Sequence, residues 1–347
     1  MFKTLKNFSV ADKRVLVRCD FNVSSDKNGN ILEDFKIVQT VPTIKYLISQ
    51  KAKIVLMSHL DPENTGVADK KYTLDKVAER LSELIELPVA KSKDCIGSEV
   101  ESQTNSLREG DILLLENLRF HKEEKENNPD FAEKLSHLGD IYVNDAFGTC
   151  HRNCASIAGV PKLLPHCAGM LLEKEIIALD KIIKNPEKPM VAIIGGIKVE
   201  TKSKFINSIC KTADFIILSG LIVKEVESEK IKFRCPEKIL APVGDLGAPD
   251  ISKESIKIFK KQIMAAKTIV WNGPLGEFED KKYSAGTLAI AKAIIKSKAF
   301  SVVGGGETVE FLNKKGMIDK FSWVSTGGGA MLDYLSGDKL PGLVALG

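Results

Sequence analysis

Short apolar segments alternate with longer segments of helical period along the whole chain, and this alternation constrains the fold more than any other feature of the sequence. Most of the apolar segments are unbroken runs rich in Val and Ile, which is typical of parallel strands that helices cover on both faces. Nine of them predict strands, at residues 14–21, 53–59, 111–118, 140–146, 190–196, 214–220, 268–273, 300–306 and 321–325. The pattern therefore predicts an α/β protein built on parallel sheets.

Six segments between the strands have the apolar spacing of helices, at residues 36–50, 73–86, 129–138, 170–185, 252–266 and 284–297. The segment 170–185 lies between two strand-rich halves and is followed by PEKP, so it predicts a connecting helix. A chain of 347 residues, of which 44% are hydrophobic, is long enough for two domains that each bury a core. We expect a first domain at 1–170, a hinge helix at 171–188 and a second domain at 189–335.

Charge and cysteine content narrow the class of protein. A net charge of +4 is smaller than the overall positive charge that proteins binding nucleic acids or membrane surfaces usually carry. No apolar run approaches the roughly 20 residues that span a bilayer, and the N-terminal residues lack a signal-peptide core. The seven scattered cysteines do not suggest a disulfide framework, so most of them are expected to be small buried hydrophobes in a reducing compartment. We expect a soluble cytoplasmic protein that binds neither nucleic acid nor membrane.

The carboxyl ends of the predicted strands differ between the two halves of the chain. In the first half they carry polar residues: Asp20, Asn22, Ser58, His59, Asn117, Arg119, Asn144 and Asp145. In the second half they carry glycines: Gly195, Gly196, Gly220, Gly273, Gly304 to Gly306 and Gly327 to Gly329. Because ligands of open α/β sheets bind beyond the strand carboxyl ends, the sequence predicts two different sites, one lined by side chains and one by backbone.

The glycine-rich ends indicate a phosphate or nucleotide site, because three of them precede helical segments whose N-termini offer free N–H groups. Neither a G-x-x-x-x-G-K-[ST] loop nor a G-x-G-x-x-G fingerprint is present, which counts against the common ATPases and dehydrogenases. Lys198 and Lys202 follow one glycine pair and would share one helix face. They could neutralise phosphate, or they could be ordinary solvated lysines.

The stretch NDAFGTCHRNCAS, residues 144–156, leaves a choice between two kinds of site. Cys150 and Cys154, with His166 and Cys167 further on, could supply four zinc ligands, although structural zinc sites usually have tighter paired spacings. The basic side chains near strand ends could instead form an anion pocket or ordinary surface ion pairs; they are Arg18, His59, Arg119, His151 and Arg152. Arginine is suited to a bidentate grip on carboxylate or phosphate.

The order of motifs along almost the whole chain resembles that of the phosphoglycerate kinases. The matching segments are RVLVRCDFNV (14–23), PTIKYL then KIVLMSHL (42–60), LLENLRFHKEE (114–124), YVNDAFGTCHRNCAS (142–156), AGMLLEKEI (168–176), GGIKVETK (195–202), VWNGPLGEFE (270–279), VVGGGETVEFL (302–312) and WVSTGGGAMLDYLSG with LPG (323–342).

The resemblance implies a bilobal α/β kinase with two Rossmann-like three-layer domains joined by the hinge helix. The first domain would bind 3-phosphoglycerate and the second would bind Mg-nucleotide, with the tail 336–347 returning to the first domain. The implied reaction is reversible, Mg²⁺-dependent phosphoryl transfer between 1,3-bisphosphoglycerate and ADP, giving 3-phosphoglycerate and ATP in glycolysis and gluconeogenesis, by a monomer. Such chemistry depends on positioning and charge stabilisation, with water excluded by hinge closure.

By matching motif positions, the resemblance also implies residue roles. The substrate site would comprise Asp20, Asn22, Lys36, His59, Arg119 and Arg152. The catalytic set would comprise Lys36, Lys198, Gly328 and Gly329. The nucleotide site would comprise Gly196, Lys198, Lys202, Gly220, Asn272, Glu279, Gly305, Gly306 and Thr308. Glu307 stands where the family has an aspartate that ligates magnesium.

Several departures from the family pattern lead to an alternative hypothesis. Lys36 replaces the family's catalytic arginine, and Asp61-Pro62 replaces a Gly-Arg-Pro segment. The glycine-rich segment before Leu221 keeps only Gly220, Cys154 replaces a histidine, and roughly fifty residues of the family pattern are missing after Val243. The alternative is a catalytically impaired relative that binds phosphorylated metabolites, nucleotide or a protein partner.

Overall fold

The structure is a computed structural model, and it describes residues 2–26, 29–60, 65–196 and 199–347. The chain divides into two compact units. The first comprises Met1–Lys174 and Lys339–Gly347, and the second comprises Glu175–Asp338. The division falls inside the helix that the sequence predicts at 170–185, so that helix begins in one unit and ends in the other.

Each unit contains one six-stranded sheet in which every neighbouring pair of strands is parallel. The first sheet is formed by β1 (Arg14–Cys19), β2 (Lys53–Met57), β3 (Ala90–Lys91), β4 (Ile112–Leu114), β5 (Ile141–Asp145) and β6 (His166–Ala168), in the order β3-β4-β2-β1-β5-β6. The second is formed by β7 (Met190–Ile194), β8 (Phe215–Leu218), β9 (Ile239–Leu240), β10 (Thr268–Asn272), β11 (Phe300–Gly304) and β12 (Trp323–Val324), in the order β12-β11-β10-β7-β8-β9. The predicted α/β class with parallel sheets is confirmed.

Helices alternate with the strands as the sequence pattern predicts. They are α1 (Phe35–Ser49), α2 (Asp75–Ile85), α3 (Ser98–Asn105), α4 (Lys122–Lys125), α5 (Pro129–Ser136), α6 (Met170–Ile183), α7 (Glu200–Ile209), α8 (Gly220–Ser228), α9 (Lys253–Ala265), α10 (Ala285–Ser297), α11 (Gly306–Lys314), α12 (Gly328–Leu335) and α13 (Pro341–Val344). Among the described helices, none combines the length and the apolar character that crossing a membrane requires.

Buried strand residues explain why the apolar runs in the sequence are unbroken. All residues of β7 and β10 are buried, as are five of the six in β1, because helices cover both faces of each sheet. All nine predicted strands are present. The sequence pattern missed β3, β6 and β9, which are edge strands of two or three residues that form no extended apolar run.

The cysteines correct one sequence expectation. Cys210, at the end of α7, and Cys235, before β9, form a disulfide across 25 residues of chain, although the scattered cysteines predicted no disulfide framework. The other five cysteines form no disulfide within the described part of the chain and are buried, as expected of small core residues.

The C-terminal segment belongs to the first unit. The N–H of Gly342 donates to the carbonyl oxygen of Cys150 at 2.9 Å. A Cβ at position 342 would lie 2.9 Å from Ile157 and 3.0 Å from Cys150, so glycine permits the close approach of α13 to the segment after β5.

Candidate active site

Basic side chains meet at the carboxyl edge of the first sheet. His59 lies two residues after β2, Arg119 lies in a 3-10 turn after β4, and Arg152 follows β5. Because β4, β2, β1 and β5 are adjacent in the sheet, their carboxyl ends form one continuous edge. Arg18 from β1 and Lys36 from α1 complete a group that we call the basic cluster: Arg18, Lys36, His59, Arg119 and Arg152.

The basic cluster carries more positive charge than its neighbours balance. Burial, together with the positive charges of Arg18, Arg119, Arg152 and Lys36, holds the pKa of His59 well below its usual value. Partial burial and the charge of Arg119 likewise lower the pKa of Arg152. This imbalance favours the binding of an anion.

The carboxylate of Asp20 lies beside the cluster. Asp20, directly after β1, is 4% exposed and forms an ion pair with the Nζ of Lys36 at 3.0 Å. The N–H of Asn22 donates to the other oxygen of Asp20 at 3.2 Å, so Asp20 organises the turn after β1. The structure therefore brings together Asp20, Asn22 and Lys36 of the predicted substrate site.

Three donor atoms of the cluster have no hydrogen-bond partner within the described part of the chain. They are Nε and Nη1 of Arg119 and Nε2 of His59, and both side chains are 1% exposed. Buried polar atoms are normally hydrogen-bonded, so unpaired donors in a cationic pocket indicate a missing acceptor. The arrangement suits an anion with several oxygens, such as a phosphate or a carboxylate.

The cysteines of the stretch 144–156 have separate surroundings. Arg119 Nη2 contacts Sγ of Cys154 at 3.6 Å, whereas Nδ2 of Asn144 contacts Sγ of Cys150 at 3.6 Å. Burial raises the pKa of Cys154. The cluster of metal-type donors found among the described residues is a different one, Asp94, Cys95 and His121, whose ligand atoms lie within 4.8 Å of one another. Cys154 therefore borders the basic cluster through its contact with Arg119.

Sequence reasoning missed the hydrogen bonds behind the cluster. Arg18, 0% exposed, donates through Nε to Oγ of Ser156 at 2.8 Å and contacts Nδ1 of His59 through Nη2 at 3.1 Å. Ser156 in turn donates to the buried carboxylate of Glu124 at 2.6 Å. The available signal was an arginine inside the apolar run RVLVRCDF, where a charge must have a buried partner.

Backbone lines the corresponding edge of the second sheet. A Cβ on Gly195 would lie 1.9 Å from the carbonyl oxygen of Pro274, so the chain after β7 and the chain after β10 touch through their backbones. Gly273 has a φ of +90°, which only glycine adopts without strain. The N–H of Gly196 donates to Pro274 O at 2.9 Å. These contacts require glycine for packing, in addition to any role in binding.

Lysine and acidic side chains lie beside this edge. Lys202 folds back so that its Nζ donates to the carbonyl oxygen of Gly195. Its pKa is lowered by burial, while the carboxylates of Glu307 and Glu225 act in the opposite direction. Lys198, Asp61 and Pro62 lie outside the described residues.

Two buried polar atoms near the glycines also lack partners in the described ranges, namely Nδ2 of Asn272 and Oγ1 of Thr308. Gly305 has a φ of +98° and lies next to Asn272, and a Cβ on Gly328 would lie 2.6 Å from the Cα of Gly305. Gly306 begins α11 and Gly328 begins α12. Two helix N-termini and two unpaired polar atoms therefore converge.

A cavity of about 280 Å³ lies beside these loops in the second unit. Its lining includes the predicted residues Gly196, Gly220, Glu279 and Glu307. Sequence reasoning missed Asp245 and Asp250, which also line it. Burial raises the pKa of Asp250, although backbone N–H donors, led by that of Gly286, oppose the shift.

The segment GDLGAP shapes this cavity. A Cβ on Gly220 would lie 2.5 Å from the carbonyl oxygen of Leu246, so the segment passes directly over the start of α8. The segment follows Val243, and its residues Asp245, Ala248 and Pro249 form part of the cavity wall.

Each unit has a sheet of parallel strands, one with a basic edge and the other with a glycine-lined edge. These two features define a phosphotransferase of the two-domain kinase class. The phosphoglycerate kinase family model matches residues 5–229 and 224–338. The chain belongs to the phosphoglycerate kinase family, and its function is that of a phosphotransferase with a carboxyl group as acceptor.

Relatives match over their whole length. The phosphoglycerate kinase of Aquifex aeolicus is 41% identical, with 99% of this chain and 98% of the relative covered, and that of Pelotomaculum thermopropionicum is 39% identical with the same coverage. The crystal structure of phosphoglycerate kinase from Pyrococcus horikoshii has 31% identity and a TM-score of 0.89, covering 100% of this chain and 98% of that one. The alignment to the Aquifex protein spans 392 positions, more than the chain has residues, so that relative has residues with no counterpart here.

Proposed function

We propose that the basic cluster binds 3-phosphoglycerate and 1,3-bisphosphoglycerate, and that the glycine-lined edge binds ATP and ADP. The observation that carries the proposal is the set of buried donors on Arg119 and His59 that have no partner in the described ranges of the chain. A substrate with a phosphate and a carboxylate supplies acceptors for them, and its negative charge balances the cluster that depresses the pKa of His59.

In the proposed substrate site, Asp20, Asn22 and Arg152 surround these donors, and Lys36 faces the group to be transferred. A lysine offers a point charge where the family has an arginine fork, so it contacts one phosphoryl oxygen where arginine spans two. We expect activity to be reduced by this exchange but not abolished, because the charge is retained.

The nucleotide phosphates would lie against Gly196, Gly220, Gly305 and Gly306, with donors from Asn272 and Thr308. The polar atoms of Asn272 and Thr308 that lack partners in the described part of the second unit support this placement. Lys202 would neutralise phosphate charge, and Glu279 would accept from the ribose hydroxyls. Lys198 and the backbone amides of Gly328 and Gly329 would stabilise the phosphoryl group during transfer.

Glu307 is suited to the role of a magnesium ligand. It is exposed at the first turn of α11, borders the cavity and lies close enough to Lys202 for its charge to act on the pKa of that lysine. Mg²⁺ usually takes one or two carboxylates together with substrate phosphates and water. When bound, the ion would neutralise charge on the nucleotide phosphates, while the residues of the chain position the reacting groups.

A coupled assay of ATP consumption with 3-phosphoglycerate tests the proposal. We expect turnover by the wild-type chain, a loss on the order of 10²- to 10³-fold in Lys198→Ala, and a gain in Lys36→Arg because the fork is restored. Lys45→Arg is the matched control, since Lys45 is exposed on the same helix as Lys36. Turnover that Lys198→Ala leaves unchanged would contradict the assigned roles.

We also propose that the protein works as a monomer in the cytoplasm on small-molecule substrates alone. The modest net charge of +4 supports the absence of a nucleic-acid partner. Sedimentation across a range of concentrations tests the oligomeric state, and a species of twice the chain mass would contradict it.

A further inference from the structure

A chain of buried hydrogen bonds leads from Glu124 to His59 in the first unit. Ser156 donates through its hydroxyl to Oε1 of Glu124 at 2.6 Å and through its N–H to Oε2 at 2.9 Å. Its hydroxyl oxygen accepts from Nε of Arg18 at 2.8 Å. Arg18 then contacts Nδ1 of His59 at 3.1 Å. Glu124, Ser156 and Arg18 are each 0% exposed, so solvent does not compete for these bonds.

The chemistry of arginine determines the roles at the end of this chain. A guanidinium has donors only, so Nδ1 of His59 must be the acceptor in its contact with Arg18. A neutral imidazole that accepts at Nδ1 carries its proton on Nε2. Nε2 is the buried atom of His59 that lacks a partner within the described ranges. The open end of the ring is therefore an N–H donor.

Surrounding groups keep this ring neutral and hold Arg18 in place. The charged groups facing His59 are Arg18 from β1, Lys36 from α1, Arg119 after β4 and Arg152 after β5, and all four oppose a further positive charge. A third hydrogen bond of Arg18, from Nη1 to the carbonyl oxygen of Cys19, fixes the guanidinium. The hydroxyl of Tyr142 donates to the carbonyl oxygen of Ser156 at 2.8 Å, so Ser156 is held from both sides.

We propose that Glu124 and Ser156 are positioning residues that act through Arg18 to hold His59 in the Nε2–H tautomer, so that a neutral imidazole donates a hydrogen bond to an oxygen of bound phosphoglycerate. The identity of the ligand rests on the proposed function, whereas the tautomer belongs to the unliganded protein. Glu124 orients Ser156, and Ser156 orients Arg18. Arg18 then donates to Nδ1 of His59, the nitrogen that must stay unprotonated.

The tautomer can be measured directly. The chain has five histidines, so nitrogen NMR of ¹⁵N-histidine-labelled protein resolves each ring, and His59→Gln assigns the signals of His59. We expect His59 in the unliganded wild type to be neutral from pH 6 to 8, protonated at Nε2 and unprotonated at Nδ1. A proton on Nδ1, or a doubly protonated ring at pH 7, would overturn the proposal whether or not the protein binds phosphoglycerate.

The variant Ser156→Ala tests the positioning role. We expect a mixture of His59 tautomers, a Kd for 3-phosphoglycerate raised by about tenfold, and an unchanged Kd for ADP, because one well-oriented hydrogen bond is weakened. Ser92→Ala is the matched control: Ser92 is a buried serine of the same unit whose hydroxyl has no partner among described residues, and its loss should change neither quantity.

Two further variants keep the test decisive if Ser156→Ala does not fold. Ser156→Thr retains the hydroxyl and should restore both the single tautomer and the affinity. Glu124→Gln places an amide N–H₂ against one of the donors of Ser156, and it should disturb the tautomer as Ser156→Ala does. A folded Glu124→Gln or Ser156→Ala protein with the wild-type tautomer and wild-type affinity would refute the positioning role.

Discussion

Arg119 is the residue on which the proposed substrate site depends most, because it is buried and two of its guanidinium nitrogens have no hydrogen-bond partner among the described residues. Arg119→Lys keeps the charge and loses the fork. We expect the KM for 3-phosphoglycerate to rise by about tenfold to a hundredfold, since hydrogen bonds to charged groups are lost, while the KM for ATP stays unchanged. Steady-state kinetics measure both constants, with Arg108→Lys as the control because Arg108 is exposed in the same unit. Equal changes in both KM values would indicate a general structural defect.

Gly195 shows how one residue can serve packing and binding together. A Cβ there would lie 1.9 Å from Pro274 O and 2.5 Å from Gly273 O, and backbone atoms cannot move aside cheaply. We expect Gly195→Ala to lower the free energy of unfolding by about 2 kcal/mol or more. Both tryptophans, Trp271 and Trp323, lie in the second unit, so fluorescence during urea unfolding reports this unit.

Gly306→Ala is the matched comparison for Gly195. A Cβ at Gly306 would meet no heavy atom within 4 Å, and the residue begins α11, so alanine should be tolerated or slightly stabilising. If the two substitutions destabilise the second unit equally, the close backbone contact at Gly195 is not the cause.

At the scale of elements, the Cys210–Cys235 disulfide joins the end of α7 to the turn before β9. The bond closes a loop that contains β8 and α8, and β9 is a two-residue edge strand with little pairing of its own. We expect reduction to destabilise the second unit by about 3 kcal/mol, because the unfolded chain regains the entropy of a loop of this length.

Tryptophan fluorescence during urea unfolding, with and without dithiothreitol, measures this effect. The variant with both Cys210→Ser and Cys235→Ser should unfold like the reduced wild type and should not respond to reductant. A double variant as stable as the oxidised protein would show that the loop is held by its packing alone.

At the scale of the whole molecule, each unit contains a buried acid whose ionisation opposes folding. Burial raises the pKa of Asp145 in the first unit and of Glu175 in the second to about 7. Asp145 accepts from the N–H groups of Leu171 and Leu172 at the start of α6. Glu175 accepts from Trp323 Nε1 at 2.7 Å and from Thr326 N at 2.6 Å. These donors offset part of the cost of burial.

The raised pKa of Glu175 predicts the direction of a pH effect on stability. Below about pH 4.5 the carboxyl is protonated in both states, and between pH 4.5 and 7 only the unfolded state ionises. Stability therefore falls as pH rises, reaching a loss of about 3 kcal/mol above pH 7. We expect Glu175→Gln to reduce the fall in the unfolding free energy of the second unit between pH 5 and 8. Tryptophan fluorescence during urea unfolding measures this free energy.

Glu173→Gln provides the control for this pH series, because Glu173 lies closer to solvent on the same helix. The unfolding free energy of this variant should change with pH as that of the wild type does. A wild-type stability that rises from pH 5 to 8 would contradict burial as the dominant influence on Glu175.

The sequence by itself determined the order of elements and the division of chemistry between two sheet edges. Apolar runs predict covered parallel strands because both faces of each sheet must be buried, and this accounts for all nine predicted strands. Polar and glycine residues after those strands predict the two edges, since parallel strands bring their carboxyl ends together. Edge strands such as β9 were not predicted, because two residues are too few to form an apolar run or an alternating pattern.

Only the tertiary structure decided which polar groups are paired and which are left open. Glu124 and Ser156 are 32 residues apart in sequence, and both are far from Arg18, so no local pattern could indicate their buried hydrogen bonds. The disulfide, the pKa values of about 7 for Asp145 and Glu175, and the Arg119 donors that have no partner among the described residues likewise depend on burial by distant segments. Burial and partner choice are properties of the packed chain, because they arise when residues remote in sequence exclude water from one another.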